Sequence, residues 1–131
     1  MAQGEKQFGG TFLVPLDGSR LAESVLPIVT YLAHGLRARV LLLHIMEQHP
    51  PATVHGERHL TASTEAKLYL EEVAARLRAA GVFVETHVHE DKENDVARGL
   101  CLHVRELHCD LVIMCTHGRG GLKGLLFGSI A

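Results

Sequence analysis

The residues with the clearest potential for chemistry form a glycine-rich segment near the end of the sequence. Apolar residues 111–115 are followed by five glycines and a serine: Gly118, Gly120, Gly121, Gly124, Gly128 and Ser129. This order predicts a buried strand, then a loop, then the first turn of a helix. Backbone N–H groups and the positive end of that helix would face the space above the strand, and a phosphate is the natural occupant of such a space.

A second candidate site lies at the end of the first apolar stretch. Pro15 and Asp17 end that stretch, and Gly18 and Ser19 interrupt it. An acidic group at the end of an otherwise apolar strand needs a polar partner, which a ligand could supply. The alternative is a local role for Asp17 in an Asx turn or a helix cap, because Gly18 and Ser19 follow it.

Apolar patterning predicts four strands that would position these residues. Residues 11–16, 40–46 and 111–115 are almost wholly apolar, which is typical of strands covered on both faces. Residues 82–89 alternate between apolar and polar, which indicates an edge strand or one wet face. The sequence therefore predicts two central strands, an edge strand and a buried last strand.

Helical spacing of apolar residues predicts three helices between these strands. The first spans residues 20–37 and should bend near Pro27. The second begins near residue 61 or 63 and ends at Gly81, a residue suited to a left-handed stop. Asn94 is the predicted cap of the third helix, whose inward residues are Val96, Leu100, Val104 and Leu107.

Strands that alternate with helices of this length predict an α/β fold: an open, doubly wound parallel sheet with right-handed crossovers. Two central strands, an edge strand in third place and a buried last strand fit the order 3-2-1-4. The reversal between strands 1 and 4 creates a crevice at their carboxyl ends, where sheets of this kind bind ligands. The glycine-rich loop and Asp17 both lie at that crevice, and their convergence is stronger evidence for a binding site than either segment alone.

The length of 131 residues fits one domain with a real core. Residues 1–10 are expected to be a flexible end, residues 47–60 a mobile loop, and residues 11–131 the folded domain. The three cysteines are an odd number without a disulfide framework. We expect reduced and mostly buried thiols.

Composition excludes several classes of protein. The net charge is −2 and the basic residues are scattered among acids, so no nucleic-acid surface is expected. No apolar run approaches the roughly 20 residues needed to cross a bilayer. The N-terminus has no hydrophobic stretch of the signal-peptide type. We therefore expect a cytoplasmic protein with neither a nucleic-acid nor a membrane partner.

The two motifs together resemble the universal stress protein family, the UspA-like adenine-nucleotide binders, and the resemblance extends over residues 12–130. The family pattern is Gly, two residues, Gly, nine residues, Gly, then Ser or Thr. Gly118, Gly128 and Ser129 match its later positions. Cys115 stands where the first glycine belongs, beside the ribose in the family, so its side chain could crowd the sugar or weaken nucleotide affinity.

The resemblance implies a Rossmann-like stress-response domain that binds ATP or AMP, with Mg²⁺ as an optional companion. It implies that Asp17 holds ribose hydroxyls and that the backbone of Ile45 receives the adenine edge. Phosphates would contact Gly118, Gly128 and Ser129, and Arg119 would either neutralise phosphate charge or remain a solvated loop cation. The remaining implied contacts are backbone or wall positions, namely Pro15, Met114, Cys115 and Ile130.

Catalysis and metal binding receive less support from the residues. No convincing pair of nucleophile and base is present, so no catalytic residue is expected and any ATPase activity should be slow. His87 and His89 lie two apart on one strand face, and His103 and His108 flank cysteines. That spacing is poor for a metal site, and none is expected.

Family members continue through a fourth helix and a fifth strand that this sequence lacks. We therefore expect a C-terminally truncated domain whose strand 111–115 is an uncovered apolar edge, which favours a homodimer or larger assembly. The alternative function is a scaffold of the same fold, used for dimerisation or regulation without nucleotide. Cys115 and the missing strand favour it. An enzyme of the related adenylyl-transfer superfamily is a third reading, disfavoured because the catalytic motifs are absent.

Overall fold

The computed structural model describes residues 9–47, 53–54, 57–58, 60–91 and 95–115. In chain order the elements are β1 (Thr11–Pro15), α1 (Arg20–Glu23), α2 (Leu26–Leu36), β2 (Arg39–Glu47), β3 (Thr53–Val54), β4 (Glu57–Arg58), α3 (Ser63–Ala79), β5 (Phe83–Asp91), α4 (Val96–Glu106) and β6 (Leu111–Val112).

Four of the strands form one sheet in the order β5-β2-β1-β6. All three neighbouring pairs are parallel. The order 3-2-1-4 predicted from the sequence is confirmed, because β5 and β6 are the third and fourth strands of this sheet in chain order. The reversal of strand order lies between β1 and β6, and it places a crevice above the carboxyl ends of the central strands.

One face of the sheet carries the larger part of the core. Val14, Val40 and Leu42 belong to a buried cluster with side chains of α2 and α3. The inner stripe predicted for α3 is buried as expected, at Leu70, Val73, Ala74 and Leu77. Complete burial of a Val or Leu side chain stabilises a fold by about 1.5–3 kcal/mol, so this stripe is enough to hold α3 on the sheet.

Helix α4 covers the opposite face. Leu13, Leu41, Leu43 and Ile45 form a second buried cluster with Leu100 of that helix. Successive residues of a strand point to opposite faces, and both faces of β1 and β2 are covered. Their sequences are therefore apolar without alternation, as is typical of central parallel strands.

The single helix predicted over residues 20–37 is wrong, because Ser24 and Val25 form a turn between α1 and α2. Pro27 lies in the first turn of α2. A backbone N–H at that position has no partner within the helix, so proline starts this helix instead of bending it. Arg37, with a left-handed φ of 55°, is the C-cap of α2.

Two further local predictions need correction. Within residues 47–60, expected to be a loop, β3 and β4 form a short antiparallel ladder. The N-cap of α4 is Asp95 rather than Asn94, because the Asp95 carboxylate accepts a hydrogen bond from the Arg98 N–H at 3.0 Å. Asn94 itself lies outside the described residues. Both side chains suit an N-cap, and the sequence alone does not rank them.

The last strand is shorter and more exposed than predicted. Strand β6 contains only Leu111 and Val112, and Leu111 is 42% exposed. Leu107, expected to face inward from α4, is 39% exposed. Leu107 is the C-cap of α4, and Leu111 belongs to a strand at the edge of the described sheet, so each lies at the margin of the core.

The cysteines are free, as expected, but they are not mostly buried. Cys101 is exposed, and Cys109 and Cys115 are half-buried. Burial raises the pKa of the Cys109 thiol above its ordinary value, which favours the protonated form. No helix in the described part of the chain is long and apolar enough to cross a membrane.

Candidate functional site

A cleft of about 300 Å³ opens at the carboxyl ends of β1 and β2, under the N-terminal half of α4. Its walls come from four parts of the chain that are distant in sequence. The lining residues are Pro15, Leu16, Asp17, Ala22, Leu43, His44, Ile45, Glu47, Val96, Leu100, Met114 and Cys115. The volume is at the lower end of the range of about 300–1,000 Å³ that is usual for small-molecule sites.

The Asp17 carboxylate is oriented by the turn that follows β1. Its Oδ1 accepts hydrogen bonds from the Ser19 N–H at 2.9 Å and from the Ser19 hydroxyl at 2.6 Å. The Ser19 Oγ in turn accepts from the Ala22 N–H at 3.1 Å and so caps α1. The local Asx-turn role considered for Asp17 is therefore present, and it holds the carboxylate at the edge of the cleft.

Gly18 makes this turn possible. Its φ is 91°, a conformation that other residues rarely adopt. A Cβ at this position would come within 3.0 Å of Leu60 Cγ, so Leu60 packs directly on the turn. The turn is thus defined by backbone conformation and by packing together.

His44 is a site residue that the sequence interpretation missed. It is 3% exposed, and its Nδ1 lies 2.7 Å from the carbonyl oxygen of Leu16. Because a carbonyl can only accept, we assign the hydrogen to Nδ1. The Leu16 N–H donates to Leu43 at 2.8 Å, so the end of β1 is held to β2 on two sides. A lone histidine in an apolar strand was the available signal.

The short helix α1 is fastened to α3 by Glu23. Tyr69 donates its hydroxyl to Glu23 Oε2 at 2.7 Å, and Arg76 contacts Glu23 Oε1 at 2.7 Å. Burial, and then the hydrogen bond to Glu23, raise the pKa of Tyr69 well above its ordinary value. This network keeps α1, and with it the capped turn at Ser19, in place beside the cleft.

The character of the lining indicates which part of a ligand the cleft suits. Leu43, Ile45 and Leu100 give it apolar walls, and its acidic groups are Asp17 and Glu47. Among the described residues that line the cleft there is no lysine or arginine. Apolar walls with carboxylates at the rim suit a ring system that carries hydroxyl groups, and they disfavour an anion.

The sequence profile of the universal stress protein family matches residues 10–131 of this chain. The chain belongs to the universal stress protein family. Universal stress protein Sll1654 of Synechocystis sp. is 32% identical over 111 residues, which are 84% of this chain and 68% of that protein. The family expected from the motifs is confirmed.

Solved universal stress proteins share the fold. A family member from Burkholderia pseudomallei superposes with a TM-score of 0.65 at 25% identity, over 97% of this chain and 95% of that one. A universal stress protein in complex with cAMP superposes with a TM-score of 0.64 at 19% identity, over 93% and 84% of the two chains. The second likeness shows the fold alone.

In this universal stress protein, five of the ten predicted site residues lie around the one cleft. They come from three segments, namely the end of β1, the carboxyl-terminal part of β2 and the stretch after β6: Pro15, Asp17, Ile45, Met114 and Cys115. The other five lie outside the described residues: Gly118, Arg119, Gly128, Ser129 and Ile130. The structure therefore brings together every predicted site residue that it describes.

A second cluster lies away from the cleft. His87, His89 and His103 each offer one ring nitrogen, and these three atoms lie within 4.8 Å of one another. In the sequence, these three histidines are among those whose spacing is poor for a metal site. The fold brings them together, because His103 comes from α4 and the other two from β5. Burial, followed by the nearby His103 and His89 rings, lowers the pKa of His87.

Proposed function

We propose that this universal stress protein binds an adenine nucleotide, with ATP as the first candidate, in the cleft at the carboxyl ends of β1 and β2. The observation that carries the proposal is the convergence of Asp17, Ile45 and Met114 from three separate segments on a single cleft. That cleft lies where the strand order reverses, which is where doubly wound sheets bind nucleotides.

The nucleoside would occupy the described part of the cleft. Asp17 would accept hydrogen bonds from the ribose hydroxyls, since the turn already directs its carboxylate to the rim. The adenine edge would bind the backbone of Ile45, with Pro15 and Met114 as walls. Cys115 would lie beside the sugar.

The phosphates would extend away from the acidic rim, because Asp17 and Glu47 repel them. The glycine-rich segment follows Cys115 directly, and it offers backbone N–H groups and a hydroxyl. Gly118, Gly128 and Ser129 would hold the phosphates, Arg119 would offset their charge, and Ile130 would close the wall. A Mg²⁺ ion bridging the phosphates is compatible with this arrangement.

The related structure in complex with cAMP supports a ligand of this class, because that protein shares the fold and binds a cyclic adenine nucleotide. At 19% identity that likeness is one of fold, so the support is by analogy and covers no individual contact.

Calorimetry with ATP and Mg²⁺, and with AMP and cAMP in parallel, tests the proposal. Asp17→Asn is the informative variant, because the amide oxygen can still accept from Ser19 while the negative charge is removed. We expect nucleotide affinity to fall about 10-fold or more, as for a lost charge-assisted hydrogen bond, with little change in melting temperature. Glu85→Gln, remote from the cleft, is the control. No heat and no thermal shift at millimolar nucleotide would reject the proposal.

A second candidate function is a scaffold that dimerises without nucleotide. Two observations favour it: the Cys115 side chain lies in the cleft wall, and Leu111 is exposed on a strand at the edge of the described sheet. Cys115→Gly separates the two candidates. If this variant gains nucleotide affinity while the wild-type chain has none and is a dimer in light scattering, the scaffold is correct.

A further inference from the structure

The histidine cluster is built by the pairing of β5 with β2. His87 and His89 pair in register with Leu43 and Ile45, whose side chains lie on the face that α4 covers. Residues two apart on a strand share a face, so both imidazoles lie on the side of the sheet where α4 packs. Strand β5 is the edge strand of the described sheet, so this position is open to solvent along one side.

His103 completes the cluster from the helix. It is 6% exposed, and its ring centroid is 4.6 Å from that of His89 and 5.0 Å from that of His87. A buried histidine on an otherwise apolar helix face usually serves packing alone. Here it faces two further imidazoles across the interface between helix and sheet, which apolar packing does not require.

The His103 ring is oriented by its own helix. Its Nδ1 lies 2.8 Å from the carbonyl oxygen of Gly99, which can only accept, so we assign the hydrogen to Nδ1. The lone pair is then on Nε2, the other ring nitrogen. A backbone carbonyl that fixes one ring nitrogen and leaves the other as a ligand is the arrangement found around histidines that bind metals.

Gly99 allows the helix to come this close. A Cβ on Gly99 would lie 3.0 Å from Ile45 Cδ1 and 3.9 Å from His89 Cδ2. The same residue therefore supplies the carbonyl that orients His103 and the space that brings α4 onto β5.

We propose that His87, His89 and His103 form a binding site for a divalent transition-metal ion, Zn²⁺ in the first instance. Three imidazole nitrogens suit Zn²⁺, Cu²⁺, Ni²⁺ or Co²⁺ and disfavour Mg²⁺ and Ca²⁺, which prefer oxygen ligands. Three protein ligands leave one position of a tetrahedral ion for water or another small ligand.

Only small side-chain movements are needed. Zn–N bonds of about 2.0–2.1 Å in a tetrahedral site place the ligand nitrogens about 3.4 Å apart. The three imidazoles have ligand atoms within 4.8 Å, so a contraction is required. The exposed His87 and half-buried His89 can rotate to supply it, while His103 remains fixed by Gly99. His87 is exposed, so an ion can reach the site from solvent at the open edge of β5.

A bound ion would join β5 to α4, because its ligands come from both elements. The site is formed only in the folded chain, so the metal stabilises that state in proportion to the logarithm of its concentration over Kd. The proposal does not rest on the proposed nucleotide site, because none of the three histidines lines the cleft.

The test uses untagged, chelator-treated protein, titrated with Zn²⁺ by calorimetry and with Co²⁺ by visible absorption. We expect one ion per chain, tetrahedral cobalt bands and a rise in melting temperature that EDTA reverses. His87→Gln alters an exposed ligand and should fold normally, and we expect it to weaken Zn²⁺ binding by at least about 10-fold. The double variant His87→Gln with His89→Gln should abolish the cobalt bands.

The matched control is His34→Gln, an exposed histidine on α2, and it should leave Zn²⁺ affinity unchanged. His103→Gln tests the helix ligand, with its melting temperature measured in EDTA so that loss of metal is separated from loss of packing. The proposal is overturned if the wild-type chain binds no Zn²⁺ at 100-fold excess over protein. It is also overturned if the double variant binds Zn²⁺ as tightly as the wild type, because the ion would then be held by other residues.

Discussion

Gly99 of α4 lies directly against Ile45 of β2: a Cβ added to Gly99 would approach Ile45 Cδ1 to 3.0 Å. Ile45 also lines the proposed nucleotide cleft, so this contact sets how closely the helix covers the site. It explains a glycine inside a helix, where glycine costs up to about 1 kcal/mol relative to alanine.

This contact predicts unequal effects of alanine at two helical glycines. Gly35 of α2 has nothing within 4 Å of an added Cβ, so Gly35→Ala should raise the free energy of unfolding by about 0.5–1 kcal/mol. Gly99→Ala gains the same helix propensity but must displace the Ile45 side chain, and we expect a net change near zero or below. Urea unfolding of both variants measures the difference, and equal stabilisation would contradict the close contact.

The bond between His44 and Leu16 predicts a cost for removing the imidazole. His44→Phe keeps an aromatic ring but leaves the buried Leu16 carbonyl without this donor, so the free energy of unfolding should fall by about 1–3 kcal/mol. His34→Phe, at an exposed position, should change it by less than about 0.5 kcal/mol. Urea unfolding of both variants measures these free energies. A His44→Phe variant as stable as the wild type would show that the hydrogen bond contributes nothing to stability.

Tyr69 should remain protonated in the folded protein at pH values where an ordinary tyrosine has ionised. Its pKa is raised by burial and by the bond to Glu23. The unfolded chain loses this proton near pH 10 while the folded chain keeps it, so stability is intact below pH 10 and falls as the pH rises above it. Tyrosinate absorbance at pH 11 should be the same in wild type and Tyr69→Phe. A smaller signal in the variant would mean that Tyr69 ionises normally.

Glu71 contributes a small acid-sensitive term to stability. The hydrogen bond from Thr86 at 2.6 Å, and then the one from Arg78, lower the pKa of Glu71. A lowered carboxyl pKa gives stability that is present at neutral pH and is lost as the pH falls through the folded-state value. The Glu71 side chain is 44% exposed, so the term is below about 1 kcal/mol.

Glu71→Gln should therefore lie below the wild type in free energy of unfolding at pH 7 and approach it at pH 3. Urea midpoints at both pH values measure this convergence. Glu106→Gln, an exposed glutamate of α4, serves as control. If the difference in free energy of unfolding between Glu71→Gln and the wild type stays constant with pH, the effect comes from packing and not from the charge of Glu71.

The strand order was predictable because the burial of each strand leaves a pattern of apolar and polar residues in its sequence. Residues 82–89 alternate since Val82 and Val84 are buried while Phe83 and Glu85 are exposed, and this marked β5 as the edge. The break at Ser24 and Val25 was not predictable in the same way. Helical spacing continues across it, and Pro27, which lies at the start of α2, is equally compatible with a bend inside one longer helix.

The candidate cleft could be placed from the sequence because it depends on topology: Asp17 and Met114 follow strands that adjoin in a parallel sheet. The role of His44 and the approach of His103 to His87 could not. Each depends on how a helix or strand is rotated and how far it slides, and periodicity does not encode these quantities for a single side chain. The same limit applied to the choice between Asn94 and Asp95 as the cap of α4.

Helix α4 touches both candidate sites, since Val96 and Leu100 line the cleft while His103 belongs to the histidine cluster. A small translation or rotation of α4 would alter the two sites together. Thermodynamic reciprocity then applies: if an ion seated at one end of α4 changes nucleotide affinity by some factor, nucleotide must change ion affinity by the same factor. Nucleotide and metal ion would then influence each other through α4.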